Sequence, residues 1–311
     1  MAADHEPAAR DPAAFEVIGV TKTYGRDGRV ANDDLTLTIA QGEIFGILGD
    51  NGAGKTTLVR QLAGLIAPTS GEIRFLGVPV GEAEHLLTTR VGYMPQSAFA
   101  LNNLTVREAI YFTARFRGLS RREARAEAAR LSAEWGIEHL AGRVAVRLSG
   151  GQRRLLQLAV AMAARPPVLI LDEPTNDLDP VNRRRVWSLL TAANQAGATV
   201  IFVTHDAVEA EKVVHRVAIM RDGRIVALGR PADLKREIGG RFRLELIGTP
   251  GRPPALPAGI PCSEPEPGRW LAVLDKADVG RVLTSLDMHE FADVRLNSST
   301  LEDLYLHYAS K

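Results

Sequence analysis

The sequence predicts an α/β protein built on a largely parallel central sheet, with a small α+β appendage at its carboxyl end. Three observations carry that expectation. Short β-rich runs alternate with helix-length stretches from Phe15 onward. Two of the runs, the apolar Val168–Leu171 and Thr199–Val203, are of the type expected for buried strands. A third, Ile44–Leu48, leads straight into a glycine-rich turn with a helix after it.

The elements follow in order. Phe15–Val20, Leu35–Ile39 and Ile44–Leu48 are expected as strands, and Lys55–Ala63 as a helix. Ser120–Trp135, rich in Ala, Arg and Glu, is expected as a surface helix, and Ser149–Ala164 as a further helix. Strand Val168–Leu171, helix Val181–Ala193 and strand Thr199–Val203 complete the main domain. Composition shifts near Arg241, and the Pro- and Gly-rich stretch Pro250–Pro267 is expected as a loop. Beyond it, Trp270–Leu274 and Val294–Leu296 are expected as strands, Ala277–Leu286 and Thr300–Tyr308 as helices. The expected division is a disordered start (1–14), a main domain (15–238) and an accessory domain (241–311).

Composition excludes several classes. The 311 residues carry 38 Lys+Arg against 37 Asp+Glu, so net charge gives no bulk argument for nucleic-acid binding, and none is expected. A single cysteine, Cys262, cannot form an internal disulfide, and a reducing cytoplasm is the simplest setting. No apolar run approaches the roughly 18 residues of a membrane-spanning helix. The first fourteen residues lack the apolar core of a signal peptide. Any membrane contact is therefore expected through a partner.

The strongest motif is Gly49-Asp50-Asn51-Gly52-Ala53-Gly54-Lys55-Thr56, a full match to G-x-x-x-x-G-K-[ST] between a strand and a helix. Small residues let the backbone wrap phosphate oxygens, and backbone N–H groups at the helix start stabilise the anion. Lys55 is expected to reach the β- and γ-phosphates and the Thr56 hydroxyl to ligate Mg²⁺, with Thr57 beside it. The run Val168–Glu173 is an apolar strand ending in two carboxylates. Asp172 is the expected Mg²⁺ partner, and Glu173 the group that polarises the attacking water. No internal repeat is present, so one nucleotide unit per chain is expected.

Leu148-Ser149-Gly150-Gly151-Gln152 precedes a helix and offers a second anion-binding helix start. One ATP fills the first cradle, so a second phosphate device makes sense if it covers an ATP held by another copy. With this segment about twenty residues before the Asp-Glu strand end, the chain resembles the ATP-binding subunits of ABC transporters, from Phe15 to Leu234. The resemblance implies a P-loop NTPase of ABC ATPase type: a RecA-like core with antiparallel β and helical subdomains. It makes Leu148–Gln152 the signature motif. It also makes Gln96 the Q-loop glutamine, which contacts Mg²⁺ and senses the γ-phosphate. Asn176-Asp177-Leu178-Asp179 becomes the D-loop, with Asp179 near nucleotide; His205 becomes the switch histidine, and Tyr24 the aromatic that stacks on adenine. Asp50 stands where many relatives have Pro, and Asp177 where many have Gly; the Asp50 charge is expected to weaken nucleotide binding modestly.

The tail segment Asn297–Leu306 resembles the closing segment of exporter ATPases of the drug-resistance and ABC-2 class, although a docked amphipathic helix gives the same letters. By the same resemblance, 97–110 receives a transmembrane permease, with Leu101, Leu104, Val106 and Ile110 either lining that groove or forming core. The implied machine is a homodimer, or a pair with a related ATPase, at the cytoplasmic face of the membrane, using ATP and Mg²⁺ to drive export. A soluble ABC-type ATPase acting on ribosomes or DNA is the alternative. Such proteins usually carry two cassettes or long coiled coils. A switch without turnover would need an altered Glu173 or His205, and both are present.

Overall fold

The computed structural model describes residues 13–25, 28–96, 101–237, 242–298, 301, 303 and 304. Within it, the chain up to residue 205 together with 213–228 forms one compact unit. Residues 206–212 and those from 229 onward form a second.

In the first unit, β1 (Ala13–Tyr24), β2 (Arg29–Ala40), β3 (Ile44–Gly49) and α1 (Lys55–Leu62) are followed by β4 (Ser70–Phe75), β5 (Val78–Pro79), α2 (Glu84–Arg90) and β6 (Val91–Met94). Next come α3 (Val106–Phe116), α4 (Arg121–Glu134), α5 (Gly150–Met162), β7 (Val168–Asp172), α6 (Pro180–Gln195) and β8 (Thr199–Thr204). After α7 (Ala207–Glu211), which belongs to the second unit, β9 (Arg216–Arg221) and β10 (Arg224–Gly229) finish the first.

Two sheets organise this unit. An antiparallel sheet has the order β2-β1-β4-β5, and a six-stranded sheet the order β10-β9-β3-β8-β7-β6. The pairs β9/β3, β3/β8, β8/β7 and β7/β6 are all parallel. Every residue of β3, β7 and β8 is buried, which is why their interiors are apolar instead of alternating, with polar side chains only at strand ends, Asp172, Thr199 and Thr204. In β2 the pattern alternates: Leu35, Leu37 and Ile39 are buried, whereas Thr36 and Thr38 are exposed. Phe15 and Phe75 meet at 4.8 Å between ring centroids in a core shared with Phe45, Ile47, Leu58 and Leu62.

The helical segment is punctuated by three capping boxes, in which Thr105, Ser120 and Ser149 exchange hydrogen bonds with Glu108, Glu123 and Gln152. These N-terminal caps start the helices more sharply than composition does. Ser120 and Ser149 are caps, not helical residues, and α5 stops at Met162.

In the second unit, α8 (Pro231–Glu237) precedes an antiparallel sheet of β11 (Phe242–Ile247), β12 (Cys262–Glu266), β13 (Arg269–Leu274) and β14 (Asp293–Ser298), in the order β12-β13-β11-β14. Leu244, Leu246, Trp270, Ala272 and Leu274 face a small core with Val282 and Leu286 of the α9 region (α9, Val279–Ser285). Glu211 on α7 takes both the Lys235 ammonium and the Leu301 backbone N–H, the latter at 2.8 Å.

Several expectations change. Ala13 and Ala14, in the segment expected to be disordered, belong to β1; residues 1–12 lie outside the described residues. Strand β2 begins at Arg29 instead of Leu35, because pairing to β1 carries it through the polar run Asn32-Asp33-Asp34. The expected loop Pro250–Pro267 contains β12, an edge strand whose pairing with β13 shifts register between Ser263 and Glu266, the stretch that holds Pro265. Val106 and Ile110 are fully buried and are core, not groove. Of the expected helix Thr300–Tyr308, Leu301, Asp303 and Leu304 are helical and the rest lies outside the described residues.

Gly92 in β6 is held against α5: a Cβ there would lie 2.1 Å from the Ala161 carbonyl oxygen. Gly92→Ala is expected to destabilise the first unit by about 3 kcal/mol, since neither backbone can retreat without repacking. A lowered midpoint in urea unfolding checks this.

Candidate active site

The site begins with strand register. Leu48 of β3 pairs with Thr204 of β8, and Asp172 of β7 pairs with Val203. The carboxyl ends of three adjacent parallel strands therefore coincide, which is where open α/β sheets bind ligands. This edge carries the loop Gly49–Gly54, the carboxylates Asp172 and Glu173, and His205.

The loop needs its glycines. Gly54 has φ +96°, and a Cβ there would lie 2.2 Å from the Ala31 carbonyl oxygen; at Gly49 it would lie 2.3 Å from that of Met220. Gly54 caps α1 without any side-chain hydrogen bond, leaving the first N–H groups of the helix free of a side-chain acceptor. Lys55 is buried, and its Nζ donates to the carbonyl oxygens of Gly49 (2.7 Å) and Asp50 (2.8 Å). Burial lowers its pKa, and the charges of Glu173, Asp172 and Asp50 work against that shift. The side chain of Asp50 itself is exposed.

Asp172 is 1% exposed, and neither carboxylate oxygen has a hydrogen-bond partner among the described residues. Burial pushes its pKa up; the approach of the Thr56 hydroxyl, short of a hydrogen bond, is the main opposing influence. A buried, unpartnered carboxylate beside a threonine hydroxyl fits a divalent cation. The described residues contain no cluster of three or more His, Cys, Asp or Glu side chains able to hold one. An ion here would thus share its oxygens with phosphate and water, the habit of Mg²⁺. Tyr93, nearby on β6, has its pKa raised by burial and by the Asp172 charge.

Glu173 is buried, and its backbone is left-handed at φ +54°, a conformation uncommon for a non-glycine residue and concentrated at functional sites. Its N–H donates to the Val203 carbonyl at 2.9 Å. Both carboxylate oxygens lie 3.0–3.1 Å from Nδ1 of His205. A carboxylate held against an imidazole at a cavity wall can polarise a water molecule.

A cavity of about 890 Å³ opens over this edge. Of the residues expected from sequence, Tyr24, Asn51, Gly52, Gly54, Lys55, Thr56, Thr57, Gln96 and Glu173 line it. Gly49, Asp50 and Ala53 complete the loop behind that surface, and Asp172 and His205 contact lining residues without being part of it. Ser149, Gly150, Gly151, Gln152 and Asp179 do not line it. Within this chain they build helix starts: Ser149 and Gln152 close the cap of α5, and Asp179 accepts from the Val181 and Asn182 N–H groups, both at 2.9 Å. Asp177 has φ +62°, the region glycine enters most freely and aspartate tolerates. Lining residues that the sequence did not point to are Arg29, Val30, Ala31, Arg60, Val203 and Asp222. Arg60 alone carried a signal, being a cation on the helix that follows the loop.

Comparison with known proteins agrees with this geometry. Residues 32–176 match the family model described as ABC transporter. The chain is 40% identical over 242 residues to the Nod factor export ATP-binding protein I of Rhizobium meliloti (strain 1021), covering 78% of this chain and 72% of that one. To the protein of the same name from Paraburkholderia xenovorans it is 40% identical over 236 residues, covering 76% and 77%. The chain belongs to the ABC transporter ATP-binding subunits. An ATP-binding cassette solved as a post-hydrolysis dimer bound to ADP and Pi superposes with a TM-score of 0.66 at 28% identity, over 70% of this chain and 98% of that one. CbiO1 of Clostridium perfringens, part of an ABC transporter complex, gives 0.64 at 30%, over 73% and 92%. As a member of this family the chain binds and hydrolyses ATP. ABC transporter subunits of this kind dimerise and work with a transmembrane component, and no described helix here is long and apolar enough to cross a membrane.

The unpartnered carboxylate yields a test. In nucleotide-free protein, Asp172→Asn should leave the thermal midpoint unchanged or raise it by the equivalent of about 1 kcal/mol, because an uncompensated buried charge is removed. The same variant should lose the Mg²⁺-dependent part of its stabilisation by ATP. Differential scanning calorimetry with and without Mg²⁺ reads both.

Proposed function

We propose that this subunit powers export through a separate permease, as a pair of copies that closes over two ATP molecules. The observation that carries the mechanism is the Glu173–His205 pair beside the Lys55 loop at one sheet edge. Export is supported by relatives whose names state it.

The chain's own residues account for each step. The loop N–H groups and the α1 start bind the phosphates. The Lys55 ammonium exchanges the Gly49 and Asp50 carbonyls for β- and γ-phosphate oxygens. Tyr24, 40% exposed, offers its ring to the adenine. Thr56, Asp172 and Gln96 would hold Mg²⁺, which when bound neutralises charge on the transferring phosphoryl group. Glu173 polarises the attacking water. When both ring nitrogens of His205 carry protons, Nδ1–H donates to the Glu173 carboxylate and Nε2–H is left to donate to the γ-phosphate. Ser149–Gly151 of one copy cover the nucleotide of the other, so closure gains contacts only when ATP is present.

The permease would be met by the helical segment. Helix α3, which begins within the 97–110 region after Gln96, exposes Phe112 (40%) and Phe116 (84%), one turn apart on one face. Leu101 and Leu104, both half-buried, lie just before it. The membrane attachment this implies is peripheral, at the cytoplasmic face.

Two measurements test this reading. Glu173→Gln should retain ATP binding, lower kcat about 10²–10³-fold and accumulate an ATP-dependent dimer in size-exclusion chromatography. Rapid steady-state turnover by that variant would remove Glu173 from its role. Affinity capture from detergent-solubilised membranes should recover a multi-span protein in stoichiometric amount, and Phe112→Ser/Phe116→Ser should reduce that recovery. Recovery of ribosomal proteins or DNA instead would overturn export while leaving the ATPase intact.

A further inference from the structure

Arg154 lies on α5, one turn beyond the signature residues, and nothing in the mechanism above uses it. The residue is 7% exposed. Its Nη2 donates to the main-chain carbonyl of Gln96 at 3.3 Å, across 58 residues of sequence. Its Nη1 has no hydrogen-bond partner among the described residues, and no carboxylate there lies within ion-pair distance. Burial lowers its pKa, and the more distant charges of Asp177, Asp172 and Glu173 oppose the shift. Keeping a guanidinium buried with one arm idle is costly for a role that is only structural.

The opposite end of α5 is tied to the same strand. Arg117, half-buried, donates from Nη1 to the carbonyls of Ala161 (2.8 Å), Ala163 (2.7 Å) and Val160 (3.3 Å) at the end of α5. Its Nη2 donates to Val91 (3.3 Å), the first residue of β6. Gly92 permits the close approach to Ala161 between them. Strand β6 and Gln96 are thus fastened to α5 at both ends, by Arg117 and Gly92 at one and by Arg154 at the other. A helix of 13 residues is a rod about 20 Å long, stiff enough to carry a displacement along its length.

We infer that Arg154 is a positioning residue that makes Gln96 follow the signature helix, so that Ser149–Gly151 engaging the partner copy's ATP sets Gln96 in the site of their own copy. The inference rests on the proposed closure of two copies over ATP. It gives that dimer a route by which filling one site alters the other, through α5 and one main-chain hydrogen bond.

The test uses the purified full chain. Arg154→Met keeps the apolar stem and removes the fork; Arg154→Lys restores a cation with shorter reach. Arg154→Met should keep ATP affinity within about threefold, lower kcat about tenfold, and bring the Hill coefficient for ATP from near 2 toward 1. Lys should recover part of kcat. The discriminating readout is a double-mutant cycle with Gln96→Ala. If Arg154 acts through Gln96, adding Arg154→Met to Gln96→Ala lowers kcat no further. A full and independent tenfold loss in that background overturns the inference, as does an Arg154→Met enzyme with wild-type kcat and Hill coefficient. Ser149→Arg, which blocks the partner's phosphate, is the control for the underlying reading. Cooperativity lost in Ser149→Arg but kept in Arg154→Met sinks Arg154 alone. A wild-type chain with no cooperativity and no ATP-dependent dimer sinks the two-copy closure as well.

Discussion

The register of three parallel strands is the constraint on which the site depends. Because β3, β8 and β7 end level with one another, a buried cation and two buried carboxylates share one small volume before any nucleotide arrives. Each would be expensive alone. Lys55 is supported by two loop carbonyls and by the carboxylate charges, and Glu173 by His205. Asp172 has neutralising charges nearby and no hydrogen bond. The site is thus incomplete at one defined point, the two oxygens of Asp172, and that point is where a cation and its phosphates fit. A sheet slipped by one residue would turn those side chains to the other face and dissolve the arrangement.

Much of this was legible in the sequence, for a physical reason. Phosphate binding demands glycines where the backbone turns left-handed or runs against another chain segment, as Gly49 and Gly54 do. Strands covered on both faces must be apolar to their ends, so Asp172 stood out as a carboxylate delivered by a buried strand. What could not be read depends on tertiary contacts. Arg29, Val30 and Ala31 reach the cavity because β2 extends through a polar run that resembles a loop. Asp222 arrives from the turn between β9 and β10. Edge strand β12 hid behind Pro265, since proline argues against a strand unless the strand is known to lie at an edge. Val106 and Ile110 were open between groove and core because helical spacing alone does not say which face of α3 is covered.

The signature residues show how one local pattern serves two ends. Ser-Gly-Gly-Gln begins α5 with a capping box, and in this chain by itself Ser149 Oγ and the Gln152 side chain are both committed to backbone N–H groups. Asp179 is committed in the same way at the start of α6. A cap of this kind contributes about 1 kcal/mol to its helix. In that cap Ser149 Oγ accepts through a lone pair, so its O–H proton remains able to donate to an anion at the helix start, where the helix dipole also favours negative charge. The proposed closure over ATP therefore costs the helix nothing at its start: the oxygen that accepts from the Gln152 N–H can donate to a phosphate at the same time, and a charged acceptor strengthens that second bond.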